Sequence, residues 1–299
     1  MKIRIGFGLG TLTRAGEPPE FTELVDALES HGFDSLWLSE RVSADAPEPV
    51  VGLSVAAGRT ERLKLGTSVQ VLPGRNPALL AAQWATLDRL SGGRALPAFG
   101  LGVADPREQA LFGVERGDRA AWFDEALPLM RRFWTGEPVT HEGERFHYDG
   151  VRVGPTPIQQ PLDVWLGGAA PSELRRVGRL GDGWLPSFCT PDDVAEGREA
   201  VMAAAKEHDR EIDSEHWGAL VIYAAEGPLP DLFADVVRRR RPGVKPEDVI
   251  PAGLPALRSR LEELIDVGAS KFVVVPVPEP DSWPGEVAAL ADAVLDLQT

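Results

Sequence analysis

The stretch "RLSGGRALPAFGLG", residues 89–102, places a turn, an apolar strand and alternating glycines in direct succession. Gly92 and Gly93 form a helix stop signal, and the apolar segment after them is typical of a buried strand. A nucleotide-binding glycine loop would need a third glycine that opens a helix and an acidic residue on the next strand. Because Gly100 and Gly102 are followed by Val103, the bare backbone at the end of this strand needs another explanation.

The same strand-and-helix unit recurs along the chain. Apolar segments of strand type alternate strictly with amphipathic segments of helix type. The count is eight strands and eight principal helices, which predicts an α/β protein with a (β/α)8 TIM barrel. An open doubly wound sheet is the alternative, since alternation alone does not exclude it. The predicted strands cover residues 3–10, 33–40, 64–72, 94–102, 162–168, 183–187, 217–225 and 271–277.

Two segments break this rhythm. Residues 136–160 combine alternating side chains with Gly and Pro, which favours a hairpin-like loop. Residues 226–253 carry a helix-like stretch that ends in four arginines, 238–241, just before Pro242. We interpret the four arginines as a solvated helix end that complements the helix dipole and not as a nucleic-acid patch. We therefore expect one barrel domain over residues 1–299 with two insertions.

Composition narrows the class of ligand. The formal charge of −15 disfavours attraction to nucleic acid or to an anionic membrane, so a small molecule is the expected partner. No apolar run approaches the roughly 20 residues that span a bilayer, and the first ten residues do not read as a signal peptide. A cytoplasmic location is expected. The single cysteine, Cys189, has no partner for an internal disulfide, and no His or Cys cluster predicts a metal site.

Six glycines fall where strands of a barrel would end. The carboxyl ends of the strands form the floor of the active site in such barrels, and glycine there leaves room for a flat ligand against the backbone. Simple strand-to-loop punctuation is the alternative for any one of them. The glycines are Gly8, Gly10, Gly100, Gly102, Gly167 and Gly168.

Several segments of the chain carry a family resemblance, and "PGRNP" leading to "ATLDRLSGGR" is the most specific of them. The segments are residues 29–41, 63–94, 123–159, 165–184 and 268–277. With them the chain resembles the bacterial luciferase-like monooxygenase superfamily, and within it the actinobacterial branch of coenzyme F420-dependent oxidoreductases. That resemblance implies a (β/α)8 barrel, coenzyme F420 or FMN as cofactor, hydride transfer or flavin-supported oxygenation, and often a homodimer.

The resemblance also suggests cofactor-binding positions. Relatives that use the deazaflavin have an often cis, non-prolyl peptide after the third strand, and the matching pair here is Ser68–Val69; an ordinary trans strand is the alternative. Gly167 and Gly168 match a phosphate site near a helix that begins at about Ser172. Further positions expected at the cofactor are Gly8, Leu101 and Gly102.

The end of the second strand departs from the family pattern. Many relatives have Glu-His there, whereas this chain has Glu40-Arg41. Arginine stays charged at working pH, so Arg41 is expected to stabilise negative charge on the reduced ring or on a substrate oxyanion. Glu40 is the candidate proton relay if burial raises its pKa. The alternatives are a rim ion pair of Arg41 with Glu40 or Asp45, and a salt-bridge role for Glu40.

Three functions remain open at this stage. The leading hypothesis is hydride transfer between F420 and a small organic substrate. The first alternative is an FMN-dependent monooxygenase that uses a separate flavin reductase, and the second is a barrel that binds the cofactor without catalysis. Arg14, Arg75 and Arg107 lie on predicted mouth loops and are candidates for contact with the anionic tail of the cofactor. The loops near 11–17, 103–118 and 226–253 would contact the substrate but match no interpretable motif.

Overall fold

A computed structural model of the protein describes residues 1–10, 18–225 and 229–299. Strand segments in these ranges match the eight predicted strand positions, some of them split in two by a short irregularity. The strands are β1 (Arg4–Leu9), β2 (Ser35–Leu38), β3 (Lys64–Thr67), β4 (Gln70–Val71), β5 (Ala95–Leu96), β6 (Ala98–Gly100), β7 (Val139–Glu142), β8 (His147–Val151), β9 (Trp165–Leu166), β10 (Gly183–Trp184), β11 (Gly218–Ala224) and β12 (Lys271–Val277).

Parallel pairing arranges these strands around a common interior. One sheet has the order β11-β12-β1-β2-β3-β5, and a second has the order β10-β9-β6-β4. β3 continues into β4 and β5 into β6, and parallel bridges from Trp184 to Trp217 and from Ser187 to Leu220 join β10 to β11. The predicted (β/α)8 barrel is confirmed, and the doubly wound alternative is wrong. β3 with β4 is the third strand of the barrel and β11 the seventh, so the two face each other across it.

The helices pack outside the strands, and many begin at proline. Proline lacks an N–H that the first turn would leave unpaired, so it fits the start of a helix. Asn76 adds a cap to α3 by accepting the N–H groups of Ala78 and Leu79. The helices are α1 (Pro18–His31), α2 (Pro49–Arg59), α3 (Pro77–Leu90), α4 (Pro106–Leu111), α5 (Arg119–Trp134), α6 (Pro171–Leu180), α7 (Pro191–Lys206), α8 (Asp231–Arg240), α9 (Pro246–Val249), α10 (Leu254–Asp266) and α11 (Trp283–Val294).

The two interruptions take different forms. Residues 136–160 contain the antiparallel hairpin of β7 and β8, as the sequence predicts. The described part of the second interruption contains α8 and the short α9, which pack through a small separate cluster of Phe188, Val237, Val249 and Ile250. In the described part of the chain, no helix is both long and apolar enough to cross a membrane.

A compact apolar layer fills the barrel below its carboxyl end. Trp37 and Trp165 meet there edge to face with their ring centroids 6.5 Å apart, and both are buried. Leu185 and Val275 belong to the same buried cluster, and Val69 packs against it. This layer closes the barrel interior and gives any ligand at the carboxyl end a solid apolar base.

Candidate active site

The carboxyl ends of the strands open into one large cavity of about 1320 Å³. Residues from all sides of the barrel line it, among them Ser39 after β2, Gly167 after β9, Ser187 after β10 and Val277 at the end of β12. Pockets for one drug-sized ligand measure roughly 300–1,000 Å³. The cavity therefore has room for a cofactor and a small substrate together.

The floor of the cavity is a bulge at Val69. The peptide bond between Ser68 and Val69 is cis, as the family resemblance suggested. A Cβ atom built on Gly100 would lie 2.6 Å from Val69 Cγ2, and one built on Gly167 would lie 3.2 Å from Val69 Cγ1. These two glycines thus leave room for the Val69 side chain, and both also line the cavity.

Hydrogen bonds from β2 hold the bulge in place. The Ser39 hydroxyl donates to the Ser68 carbonyl at 3.0 Å and lies 3.2 Å from the Ser68 hydroxyl. The N–H of Glu40 donates to the Val69 carbonyl at 3.3 Å, and the N–H of Ser68 donates to the Leu38 carbonyl at 3.0 Å. Both carbonyls of the bulge are therefore satisfied by protein groups, and its position is fixed from one side.

Five of the six glycines predicted at strand ends line the cavity, and Gly8 does not. A Cβ on Gly8 would lie 2.7 Å from Val273 Cγ1 and 2.8 Å from Val275 Cγ2, so this glycine admits the valines of β12. Gly102 has a φ of +81°, which favours glycine at that turn. The lining glycines are Gly10, Gly100, Gly102, Gly167 and Gly168, and Leu101 lines the cavity beside them.

Glu40 lies on the cavity wall with both carboxylate oxygens occupied. Its Oε2 accepts the N–H of Val71 at 2.7 Å, and its Oε1 forms an ion pair with Arg75. Burial raises the pKa of Glu40, although the Arg75 guanidinium and the Val71 N–H act in the opposite direction. The salt-bridge role that the sequence left as an alternative is thus the one that the contacts display, and Arg75 is engaged by it.

Arg41 has a different ion-pair partner from the two considered in the sequence. Its guanidinium lies 3.5 Å from the carboxylate of Asp105, and the Arg41 side chain is 28% exposed. Asp105 lines the cavity and also caps α4 by accepting the N–H of Arg107 at 2.9 Å. Sequence reasoning missed Asp105, although an aspartate directly before Pro106 is a recognisable helix cap.

The loop that carries Leu101 is held from beneath by Arg119, which is 3% exposed. The Arg119 guanidinium donates to the Leu101 carbonyl at 2.6 Å and more weakly to the carbonyls of Gln109 and Val114, both at 3.4 Å. Sequence reasoning missed this residue as well, because nothing local distinguishes it from other helix-start arginines. Arg119 therefore fixes one wall of the cavity.

The phosphate site predicted at Gly167 and Gly168 is altered by Glu173. The helix α6 begins at Pro171, close to the expected position. However, the Glu173 carboxylate accepts the N–H groups of Ala169 at 3.0 Å and Ala170 at 2.9 Å. These amides are therefore used within the protein, and a negative charge already stands at the helix start.

Arginines supply positive charge to the cavity instead. Arg175, Arg239 and Arg240 line it, and none has a carboxylate within ion-pair distance among residues 1–10, 18–225 and 229–299. Burial and then the charge of Arg41 lower the pKa of Arg240. The charges of Arg41 and Arg240 thus repel each other at the cavity, and an anionic ligand between them would reduce this repulsion.

Arg238, Arg239 and Arg240 are exposed, as the solvated interpretation of the four-arginine run expects, whereas Arg241 is half-buried and departs from it. Arg241 donates to the Phe188 carbonyl at 2.8 Å and pairs with Asp193 at 2.8 Å, and it lines the cavity together with Arg239 and Arg240. Of the loop arginines proposed for the cofactor tail, Arg14 lies outside the described residues. Arg107 is exposed and is not part of the cavity lining.

Known proteins resemble this chain in both sequence and fold. The model of the luciferase-like monooxygenase family matches residues 3–228. A 4-hydroxyprotoasukamycin monooxygenase from Streptomyces nodosus subsp. asukaensis is 31% identical over 320 aligned positions, which cover 99% of this chain and 82% of that protein. An F420-dependent glucose-6-phosphate dehydrogenase from Nakamurella multipartita is 30% identical over 226 positions, which cover 70% of this chain and 66% of that protein.

Among solved structures, an F420-dependent secondary alcohol dehydrogenase in complex with an F420-acetone adduct superposes with a TM-score of 0.82. The superposition covers 100% of both chains at 19% identity, so it speaks for the fold. This shared fold agrees with the family match, which covers most of the chain. The chain belongs to the luciferase-like monooxygenase family and is an oxidoreductase.

Proposed function

We propose that the protein transfers a hydride between coenzyme F420 and a small organic substrate. When bound, the coenzyme supplies a two-electron carrier that gives or takes the hydride. The observation that carries the proposal is the Val69 side chain, seated between Gly100 and Gly167, which gives the cavity a raised apolar floor for a planar ring. Leu101 and Gly102 form the adjoining wall.

The charges of the cavity support F420 over FMN. FMN ends in a single phosphate, whereas F420 carries a longer tail with several negative groups. Arg175, Arg239 and Arg240 lack carboxylate partners in the described ranges, which suits a ligand with more than one anionic group. The relative from Nakamurella multipartita, whose name specifies F420, points the same way.

The residues at the end of β2 have separable roles in this proposal. Arg41 stabilises negative charge that develops beside the redox centre, because its guanidinium stays protonated and reaches the cavity. Asp105, partly exposed and paired with Arg41, holds the Arg41 guanidinium beside the cavity. Glu40 is a positioning residue that holds Arg75 and the start of β4.

Titration of the apoprotein with F420 and with FMN, followed by the fluorescence of each cofactor, tests the proposal. We expect F420 to bind, and Arg240→Ala and Arg175→Ala each to weaken it about 5- to 10-fold through loss of a charge-assisted contact. Arg107→Ala, an exposed arginine outside the cavity lining, is the control and should leave the affinity unchanged. Tight FMN binding without any response to F420 would overturn the proposal.

An FMN-dependent monooxygenase that receives reduced flavin from a separate reductase is the second candidate. It is favoured by the Streptomyces relative, a monooxygenase by name, whose similarity extends over 99% of this chain. The two candidates make opposite predictions for the cofactor titration. They also differ in oxygen demand, because only the monooxygenase consumes molecular oxygen during turnover.

A further inference from the structure

The wall of the cavity opposite the Val69 bulge contains no polar side chain from the strands that form it. Burial alternates along β11, so that Leu220 and Ile222 point into the cavity while their neighbours face the helices. β12 contributes Val275 and Val277 to the same wall. Four aliphatic side chains on two adjacent strands therefore form a continuous apolar surface.

The helix α8 extends this surface across the top of the cavity. Its lining residues fall at the spacing of one helix face, and they are apolar in the first turns and cationic in the last. Leu232 is 55% exposed although it is a large apolar residue, and it lines the cavity. The remaining members of this stripe are Phe233, Val236, Arg239 and Arg240.

Barrel geometry places the apolar wall where a substrate would lie. A planar cofactor with one face on Val69 turns its other face toward the strands across the barrel, and β11 lies directly across from β3 and β4. Ser39, Arg41 and Asp105 line the cavity on the side of the bulge, and Arg239 and Arg240 line it at the end of α8. A substrate body that lies against β11, β12 and the first turns of α8 would meet no polar side chain among the lining residues of these segments.

We propose that the substrate is an uncharged molecule with one polar group and a hydrophobic body that lies against β11, β12 and the first turns of α8. The proposal rests on the proposed function, since it places the substrate opposite the cofactor. A sugar phosphate does not suit this wall, because each hydroxyl turned toward Leu220, Ile222, Val275 or Val277 would lose its hydrogen bonds to water without replacement. The chain thus differs in substrate class from its glucose-6-phosphate dehydrogenase relative.

Calorimetric titration of the full chain with straight-chain methyl ketones from butanone to nonanone tests this, with and without saturating F420. We expect each added CH2 group to tighten binding by up to about 4-fold, because burial of one CH2 contributes about 0.8 kcal/mol. Glucose 6-phosphate should bind more weakly than nonanone. Similar affinities for butanone and nonanone, or preferential binding of glucose 6-phosphate, would overturn the proposal.

A matched set of variants locates the effect. Ile222→Gln should weaken nonanone binding about 10-fold or more, and Leu232→Gln about 3- to 5-fold, since both place an amide in the apolar wall. Met202→Gln on α7 is the control, because Met202 is 45% exposed and lies outside the cavity lining. Equal loss in all three variants would also overturn the proposal, because it would indicate non-specific adsorption.

Failure of the proposed F420 function and failure of the substrate inference give different results in these titrations. F420 binding is read from the fluorescence titration, and ketone binding is read from heat, so neither depends on turnover. If F420 fails to bind, the proposed function fails, and the length dependence in the apoprotein still decides whether the wall binds apolar ligands. If F420 binds and ketone affinity does not depend on length, only the substrate inference fails.

Discussion

The substitution Gly100→Ala tests whether Val69 is seated between two glycines. The new Cβ would lie 2.6 Å from Val69 Cγ2, about 1 Å closer than two carbon atoms normally approach. Val69 has a branched Cβ and few alternative rotamers, so the bulge itself must move. Overpacking of this kind costs about 1–3 kcal/mol of unfolding free energy.

A double-mutant cycle isolates the contact. Val69→Ala removes the Cγ2 methyl group that the new Cβ would meet, so Gly100→Ala should cost much less in that background than in the wild type. Loss of two half-buried methyl groups costs about 1 kcal/mol, and we expect a coupling free energy of about 1–2 kcal/mol between the two sites.

Urea unfolding followed by tryptophan fluorescence measures the cycle, and F420 titration measures the effect on the floor of the cavity. Gly117→Ala is the control, because no atom lies within 4 Å of a Cβ at that position. It should change stability by less than about 0.5 kcal/mol. If the costs of Gly100→Ala and Val69→Ala simply add within about 0.5 kcal/mol, the Val69 side chain does not occupy the space beside Gly100.

Three other perturbations have defined outcomes. Arg119→Met should destabilise the protein by about 2–4 kcal/mol and weaken cofactor binding, since it leaves the Leu101 carbonyl without its buried donor; Arg119→Lys should recover part of both in urea and fluorescence titrations. Burial raises the pKa of Glu29, but N–H bonds from Leu63, Glu61 and Arg62 outweigh it and hold the pKa below its ordinary 4.5. The ionised Glu29 carboxylate therefore stabilises the fold above its ordinary pKa, and this stabilisation is lost as the pH falls through the lowered pKa of the folded state. The urea midpoints of wild type and Glu29→Gln should converge on acidification. A difference that stays constant with pH would contradict this. Burial raises the pKa of Cys189 to about 11, so Ellman's reagent at pH 8 should react about 100-fold more slowly with the native protein than with the guanidinium-unfolded chain.

The barrel could be predicted from the sequence because its signals are local and repeat along the chain. The same signals recur in the same order in each strand-and-helix unit: an apolar strand segment, proline at the helix start and glycine at the helix end. An error at the boundary of one unit therefore does not change the number of units, which predicts the barrel. Even the two-residue strand β10 was found from its place between two helices. The short helices α4 and α9 were missed, since each lies within a predicted loop and is too brief to show periodicity.

The site was predicted less completely, because its contacts join residues that are distant in sequence. The cis peptide after Ser68 has no local signature and came only from the family resemblance. The four arginines at the end of α8 are typical of a solvated helix end, and only the packing of α8 over the cavity shows that Arg239 and Arg240 also line it. Glu173, by contrast, stands three residues after the cap position of α6, a spacing that could have indicated a capping interaction in place of a phosphate site.

The helix α8 connects the two proposed recognition steps physically. It packs on the barrel through the small cluster around Phe188 and Val237 and through the pair of Arg241 with Asp193, so few contacts fix its position. The acidic chain, with a formal charge of −15, repels an anionic cofactor at long range, and screening confines that repulsion to about 8 Å at physiological salt. Inside that distance, Arg239 and Arg240 attract the anionic tail in the proposed complex. Because the same helix carries the apolar turns of the substrate wall, cofactor binding would stabilise the arrangement that the substrate needs, and the two ligands would favour each other's binding.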